Sequence, residues 1–375
     1  MQKTVAIISC EYPPFPGGIA AYAGAIVSEL RHAGAKVFTI VPQYDEFEDG
    51  AAEADDHRLL RHHGIPPKAL MRMVKILREL PAGTPVLCAD IRSVMACYVT
   101  KPLHQRAYRA MIHGSEVSKL ASNRPDLWLA RKAYAGADRI LANSQATLDL
   151  YRAKSGDDGP GHVSYLGVDE AWFADAPGAF ENEELAALDP KTTLFCCVGR
   201  IEPRKGQLEA VKLVAKATAL ASVKKPVLVL AGRVEIPAYA DTVRAQASAL
   251  GVSLVMPGRV SHNDLLELYA RSTCHFLCAR RLSERIEGFG LVLLEAAAQR
   301  CPSVAFDVGG IGEVMGEGET LISEGDIGAA ATVTAALATD ETLRAKLGEA
   351  ALARAHAFNW HQCATETFPE VLQRA

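Results

Sequence analysis

Short apolar segments of strand length alternate along this chain with longer amphipathic segments. An apolar segment at 5–9 is followed by a helical pattern over 20–33 and by a second apolar segment at 36–41. Further segments of this kind lie at 86–89, 110–113, 139–143, 194–198, 227–231, 253–255, 275–279 and 303–306. Such alternation predicts parallel sheets that are covered by helices, the α/β class.

The alternation stops between Val168 and Lys191, where small, acidic, proline and glycine residues replace it, and restarts at Leu194. A chain of 375 residues is also longer than one typical domain. We therefore predict two Rossmann-like domains, 1–170 and 171–355, followed by a C-terminal segment, 356–375.

The most apolar helical pattern, 291–298, stops before Pro302 and follows Gly288 and Gly290. Unpaired N–H groups in the first turn of a helix, next to glycines, form a site where an anion can bind. Glu295 is a carboxylate among Leu and Ala and needs a partner if it is buried. Ligand hydroxyls are one such partner, and a nearby arginine is the alternative.

Four other predicted strand ends carry glycine, histidine or cationic residues. These are Gly17 with Gly18, His113, Arg200 with Lys205, and Gly309 with Gly310. Doubly wound folds bind ligands at the carboxyl ends of their strands, and bare N–H groups and cations suit phosphate. Each feature alone has an ordinary explanation as a turn, a hydrogen-bonded histidine or solvated charges. Together they favour a nucleotide diphosphate bound between the two domains.

Composition excludes several other classes of protein. The net charge of −4 argues against bulk nucleic-acid binding. Nine cysteines without a Cys-x-x-Cys motif predict buried free thiols in a reducing compartment, and no His/Cys spacing indicates a metal. The sequence contains no apolar run long enough for a membrane span and no signal-peptide pattern. We therefore expect a cytoplasmic protein.

Two segments between the second and third strand patterns stand apart. Residues 45–56 are acidic and predict a solvated loop, whereas 67–80 form a basic amphipathic helical pattern. The apolar face of that helix either packs in the core or docks on anionic lipid. Peripheral contact with the inner face of the membrane through 67–80 therefore stays open.

The chain resembles the family-four retaining glycosyltransferases of the GT-B fold (glycosyl transferases group 1) over nearly its whole length. The matching motifs are Pro-Pro-x-x-Gly-Gly at 13–18, His113-Gly114, Asn143-Ser144, Gly167-Val168-Asp169, Gly199-Arg200 with Lys205-Gly206, Glu287-x7-Glu295, Gly309-Gly310-Ile311 with Glu313, and Phe358-Asn359-Trp360. The resemblance implies two Rossmann-like domains facing across a deep cleft. It also implies that the C-terminal helix, within 356–375, crosses back to the acceptor-side N-terminal domain.

The resemblance also assigns roles to individual residues. Arg200 and Lys205 would hold the diphosphate, Glu287 would contact the transferred sugar, and His113 would lie near that sugar as a fourth catalytic residue. The donor-binding residues would be Gly17, Gly18, Gly199, Gly288, Phe289, Gly290, Leu291, Glu295, Gly310 and Ile311, with Glu295 accepting hydrogen bonds from the ribose.

The implied activity is retaining transfer of a sugar from a UDP- or GDP-sugar to a hydroxyl of a glycan, a lipid-linked sugar or a small molecule, without a metal or another cofactor. No pair of carboxylates suits a double displacement, so a front-face route is favoured. A phosphorylase, a sugar-nucleotide epimerase and a non-catalytic nucleotide-sugar-binding protein are the alternatives. The charged run 279–286 departs from the family pattern and leaves the donor open.

Overall fold

A computed structural model describes most of the chain as two compact units. The described residues are 3–44, 55–61, 64–114, 116–117, 120, 125–156, 159–282 and 285–373. The first unit comprises Met1–Gly167 and Asn359–Ala375, and the second comprises Val168–Phe358. The divisions thus fall at 167/168 and 358/359, compared with 170/171 and 355/356 from the sequence.

The first unit contains a sheet of seven described strands, all paired in parallel. They are β1 (Thr4–Ile8), β2 (Lys36–Pro42), β3 (Asp56–Leu60), β4 (Val86–Cys88), β5 (Arg109–Ile112), β6 (Arg139–Ala142) and β7 (Gly161–Val163). Their order across the sheet is β3-β2-β1-β4-β5-β6-β7. Ile8 lies opposite both Ile40 and Cys88, so the carboxyl ends of β1, β2 and β4 are nearly level.

Helices follow most of these strands. They are α1 (Gly18–His32), α2 (Pro67–Glu79), α3 (Ile91–His104), α4 (Pro125–Ala135) and α5 (Gln145–Ser155). Asp90 begins α3 by accepting hydrogen bonds from the N–H groups of Arg92 and Ser93. Ser144 caps α5 by accepting a hydrogen bond from the N–H of Thr147. The apolar faces of the helices pack on the alternating buried residues of the strands.

The second unit repeats this arrangement with six described parallel strands. They are β8 (Thr193–Val198), β9 (Pro226–Ala231), β10 (Ser253–Gly258), β11 (Cys274–Leu277), β12 (Ser303–Phe306) and β13 (Leu321–Ile322), in the order β10-β9-β8-β11-β12-β13. The helices are α6 (Glu183–Ala186), α7 (Gln207–Ala221), α8 (Pro237–Ala249), α9 (His262–Arg271), α10 (Leu291–Ala298), α11 (Ile311–Met315), α12 (Ile327–Thr339) and α13 (Glu341–His356). Two Rossmann-like units are therefore confirmed.

The last two helices, α14 (Trp360–Thr367) and α15 (Pro369–Leu372), belong to the first unit. The hydroxyl of Ser164 donates to the carbonyl of Cys363 at 3.1 Å, and Arg109 pairs with Glu370 at 2.8 Å. Where the chain leaves and re-enters this unit, its two segments touch. A Cβ on Gly167 would lie only 2.3 Å from the backbone nitrogen of Trp360, so no larger residue fits there.

Three observed strands carry no apolar strand signal in the sequence. Strand β3 contains Asp56, which the sequence assigned to a loop; residues 45–54 of that loop lie outside the described part. The Asp56 carboxylate accepts from Arg31 at 2.6 Å and from the Thr39 hydroxyl at 2.7 Å. These bonds let a polar segment form an edge strand. Strands β7 and β13 have only three and two residues, too few for a recognisable period.

The structure shows where the apolar face of the predicted helix at 67–80, now α2, is buried. Its apolar residues Ala69, Met73 and Leu77 lie in the core of the first unit. The cationic side chains at 68, 72, 75 and 78 are exposed, as is Met71. The apolar face therefore packs on the protein, and the face open to solvent carries the cationic residues together with Met71.

Candidate active site

The loop after β8 carries two of the predicted catalytic cations. Arg200 is exposed just beyond the strand, while Lys205 ends a short 3-10 turn, Pro203–Lys205, that leads into α7. Gly206 follows with φ of 72°. A Cβ at Gly206 would lie 1.7 Å from the carbonyl oxygen of Cys278, so the loop contacts the end of β11 as closely as a backbone can.

This contact gives a stability prediction. Gly206→Ala is expected to lower the free energy of unfolding by about 2–3 kcal/mol, since it adds overpacking to left-handed backbone strain. Gly251→Ala is the matched control, because Gly251 has φ of 66° but no atom within 4 Å of an added Cβ. For Gly251→Ala we expect the free energy of unfolding to fall by about 1 kcal/mol. Equal losses in urea unfolding of the two variants would show that the contact with Cys278 is unimportant.

Glu287 joins the two segments of the site. Its Oε2 accepts a hydrogen bond from Lys205 Nζ at 2.8 Å and another from Arg204 Nη1 at 2.5 Å. All three side chains are largely buried. The sequence predicted Glu287 and Lys205 as site residues but not Arg204, whose position next to Lys205 carries no separate signal.

The charges continue beyond Arg204. Its Nη2 donates to Oε1 of Glu202 at 2.9 Å, and Arg200 Nη2 lies 3.3 Å from the same oxygen. The five side chains therefore form an alternating series, Arg200–Glu202–Arg204–Glu287–Lys205. We call this series the charge chain. Its two ends are the cations assigned to the diphosphate.

The charge chain keeps Glu287 ionised. Burial by itself would raise the pKa of Glu287, but the charges of Lys205 and Arg204 and their hydrogen bonds outweigh it and lower the pKa to about 2. On β11, burial and the charge of Lys205 lower the pKa of His275 to about 3. The histidine is therefore neutral near pH 7.

The segment after Glu287 lies where the sequence placed it. Gly288, Phe289 and Gly290 are buried, Leu291 is partly exposed, and α10 begins at Leu291 with Gly290 as its N-cap. The Phe289 ring packs edge-on against Phe358, 5.8 Å between centroids. Gly310 donates its N–H to the Glu287 carbonyl at 2.9 Å and precedes α11, which begins at Ile311. Gly199, Gly310 and Ile311 thus lie around the same carboxyl edge of the second sheet.

Glu295 is partly buried on α10, one helical turn after Leu291. The hydroxyl of Tyr269 donates to its Oε2 at 3.2 Å. Burial raises the pKa of Glu295 to about 7; the Tyr269 bond and the Lys205 charge oppose this, and Asp169 adds to it. No arginine pairs with Glu295 among the described residues. The arginine partner that the sequence left open as an alternative is therefore not observed. The sequence did not predict Tyr269, which lies on α9, as a partner of Glu295.

The remaining predicted residues belong to the first unit. Gly17 and Gly18 are exposed at the start of α1. His113 is half-buried beyond β5, with Nε2 3.0 Å from the Ala89 carbonyl and its ring edge-on to Tyr22. Because a carbonyl only accepts, Nε2 carries the hydrogen. Asn143 also donates to the His113 carbonyl, at 3.2 Å.

Two further properties concern the described residues only. Within them, no three His, Cys, Asp or Glu side chains lie close enough together to hold a metal ion. No helix among the described segments has both the length and the apolar content to cross a membrane. All nine cysteines are unpaired and buried, as the sequence predicts.

Two protein-family models match the chain. The model described as Glycosyl transferases group 1 matches residues 180–354. The model described as Glycosyltransferase Family 4 matches residues 16–172. The matched segments correspond in turn to the second and first units.

Two relatives match 96% and 85% of the chain. A GDP-mannose-dependent monoacylated alpha-(1-6)-phosphatidylinositol monomannoside mannosyltransferase of Corynebacterium glutamicum is 26% identical, over 96% of this chain and 95% of that protein. A GDP-mannose-dependent alpha-(1-6)-phosphatidylinositol monomannoside mannosyltransferase of Mycobacterium tuberculosis is 28% identical, over 85% of this chain and 84% of that protein.

Solved structures share the fold at lower identity. Sucrose-phosphate synthase from Thermosynechococcus elongatus superposes with a TM-score of 0.77 at 19% identity, over 99% of both chains. Anabaena HepE in complex with UDP and glucose gives a TM-score of 0.77 at 18% identity, over 98% of this chain and 99% of that chain.

Proposed function

Because this chain belongs to the family-four glycosyltransferases of the GT-B fold, the group 1 glycosyl transferases, we propose that it transfers a sugar from a nucleotide diphosphate sugar to an acceptor hydroxyl with retention of anomeric configuration. The observation that carries the proposal is the charge chain, which has a cation at each end and contains Glu287, four residues before the start of α10. Cations in this arrangement suit a diphosphate leaving group.

The donor we propose is a GDP-sugar, with a UDP-sugar as the alternative. The relatives that match most of the chain are named as GDP-mannose-dependent, and this supports guanine and mannose as the first choice. Glu295, once ionised, would accept hydrogen bonds from the two ribose hydroxyls, which any of these nucleotides carries.

In the proposed reaction, the bond between the anomeric carbon and the β-phosphate oxygen breaks, and the electron pair stays on the phosphate. Lys205 and Arg200 neutralise the charge that grows there. The acceptor hydroxyl attacks from the same face, and its proton passes to the departing phosphate oxygen. No second carboxylate pairs with Glu287 in the described site, and this supports the front-face route over a double displacement.

The other assigned residues bind and orient the donor in this proposal. The Glu287 carboxylate, ionised at neutral pH, would accept hydrogen bonds from sugar hydroxyls. Backbone groups at 288–291 and 310–311 would line the sugar and phosphates. Gly17, Gly18 and His113 keep the donor-binding and catalytic roles that the family resemblance gives them; the Nε2–H of His113 is committed to the Ala89 carbonyl.

A lipid-linked sugar is the acceptor we propose to test first. The names of the relatives specify a phosphatidylinositol monomannoside acceptor, and α2 presents exposed cations toward solvent. Those cations would favour an anionic lipid surface and hence peripheral membrane contact. A glycan or a small-molecule acceptor is the alternative.

A panel of UDP, GDP, ADP and their sugar conjugates tests the proposal by thermal shift, because a ligand that binds only the folded state raises Tm. We expect the largest shift with the guanine compounds. The sugar conjugate that binds is then incubated with acceptors, and NMR of the product reports the anomeric configuration. Inversion would contradict the retaining route. Turnover that needs only inorganic phosphate, or no acceptor, would identify a phosphorylase or an epimerase, and binding without turnover a non-catalytic protein.

The raised pKa of Glu295 predicts how donor affinity depends on pH. Above a pKa of about 7 the carboxylate is ionised and can accept from both ribose hydroxyls, whereas below it the protonated form cannot. Affinity for GDP-mannose is therefore expected to rise about tenfold between pH 6 and pH 8. The diphosphate of a sugar nucleotide is esterified at both ends and does not titrate in this range.

Glu295→Gln is the control for this experiment. It keeps the shape of the side chain but cannot ionise, so its affinity, measured by calorimetry, is expected to be lower at pH 8 and nearly independent of pH. A wild-type profile that is flat, or a slope that persists in the variant, would remove Glu295 from ribose binding.

A further inference from the structure

Arg204 lies at the centre of the charge chain. In the proposed function it contacts neither a phosphate nor the sugar. Its residue is only 8% exposed, and its two terminal nitrogens bind two different carboxylates, Glu287 and Glu202. Its carbonyl oxygen accepts from the N–H of Arg280 at 2.8 Å. Main chain and side chain are both fixed, so Arg204 has little freedom to turn toward a ligand.

Lys205 and Arg204 bind the same carboxylate oxygen of Glu287. Both bind Oε2 of Glu287, at 2.8 Å and 2.5 Å. A lysine held by a carboxylate neutralises little of an incoming phosphate charge, so binding the donor requires Lys205 to leave Glu287. If Lys205 were the sole counterion, that exchange would strand a buried carboxylate, which is costly.

We propose that Arg204 is a positioning residue that stays on Glu287 while Lys205 changes partner from Glu287 to the donor diphosphate. This inference rests on the proposed function of the same site. Arg204 thereby keeps Glu287 ionised and oriented toward the sugar in the donor complex. Glu202 accepts from the other terminal nitrogen of Arg204. Arg200, whose side chain is 49% exposed, stays at the open end of the charge chain and can reach the other phosphate.

The charged surroundings of Glu287 are compatible with this exchange. The groups that act on its carboxylate are Lys205 and Arg204, both from the loop after β8. His275, on the neighbouring strand β11, is neutral near pH 7 and adds no competing charge. Once Lys205 has moved, Arg204 is the cation that remains beside Glu287.

Arg204→Gln and Arg204→Lys test the inference with the sugar nucleotide that binds the wild-type protein most tightly. In Arg204→Gln, Lys205 is the counterion that remains for Glu287, so the dissociation constant of the donor is expected to rise tenfold or more. The kcat profile is also expected to gain an acid limb that the wild type lacks, because Glu287 loses the cation that keeps its pKa low and can then protonate in the complex. Arg204→Lys restores one charge and is expected to remove the acid limb and recover part of the affinity.

Arg244→Gln is the matched control, since Arg244 pairs with Asp241 on the exposed surface of α8. We expect its affinity and pH profile to match those of the wild type. Wild-type affinity and pH profile in Arg204→Gln would overturn the positioning role while leaving the proposed function intact. A wild-type protein that binds no member of the nucleotide panel would overturn the proposed function and this inference together. If Arg204→Gln does not fold, an acid limb in Arg204→Lys that the wild type lacks would overturn the inference alone.

Discussion

Replacing Lys205 with alanine is expected to lower kcat at least about a hundredfold, the scale of losing one contact to the charge that develops in the transition state. Lys205 is the end of the charge chain that binds Glu287, which precedes the start of α10 by four residues. In the proposed reaction its charge matters most as the bond to the phosphate breaks. The loss should therefore appear in kcat with the sugar nucleotide saturating, and less in donor affinity.

The variant is expected to fold, because Glu287 retains Arg204 as its counterion. Far-ultraviolet circular dichroism and a melting curve check this. Lys225→Ala is the control: Lys225 pairs with Asp189 at the surface and has no assigned role, so its kcat should equal that of the wild type. A kcat for Lys205→Ala within about threefold of the wild-type value would exclude Lys205 from the mechanism.

Glu287→Gln is expected to lower the free energy of unfolding by about 3–5 kcal/mol, the usual cost of removing one partner from a buried ion pair. The amide has no charge to offset Arg204 and Lys205, which are both largely buried. Urea unfolding at pH 7 measures the loss. Glu349→Gln is the matched control, since its pair with Arg300 is exposed and should change stability by less than about 1 kcal/mol.

The pH dependence of that loss identifies its cause. The pKa of Glu287 lies near 2 in the folded protein, below its usual value of 4.5. The stabilisation is thus fully present above about pH 4.5 and is lost as the pH falls toward 2. The difference between wild type and Glu287→Gln should therefore be constant above pH 5 and shrink in acid. A difference that does not depend on pH would mean that packing, and not charge, is lost.

The sequence predicts much of the architecture because most strands and helices carry a strong periodic pattern. Helix α10 and strand β12 begin and end where the apolar pattern does. Strand β3 was missed because its polar residues are stabilised by Arg31 and Thr39, partners far away in the sequence. The amphipathic pattern of α2 fits both a core and a membrane, and only its packing distinguishes the two.

The site was predicted in part for a related reason. Motifs identify residues that stand in a recognisable order, such as Lys205, Glu287 and Glu295. Arg204 and Glu202 act through distances that only the folded loop after β8 creates. Tyr269 reaches Glu295 from α9, 26 residues away along the chain. Arg204 and Glu202 stand between the motif residues Arg200 and Lys205, but nothing in the sequence distinguishes them from ordinary loop charges, and Tyr269 lies in none of the motifs.

The chain leaves and re-enters the first unit at one point. Gly167 packs on the backbone of Asn359 and Trp360, and the N–H of Val168 donates to the Phe358 carbonyl at 3.2 Å. The second unit, Val168–Phe358, is thus a continuous insertion whose two ends are adjacent. Each half can therefore be designed as a separate protein: residues 168–358 as one uninterrupted chain, and the first unit with Gly167 joined to Asn359 through a short peptide linker. A simple truncation after Gly167 would instead discard α14 and α15 and expose the surface that they cover.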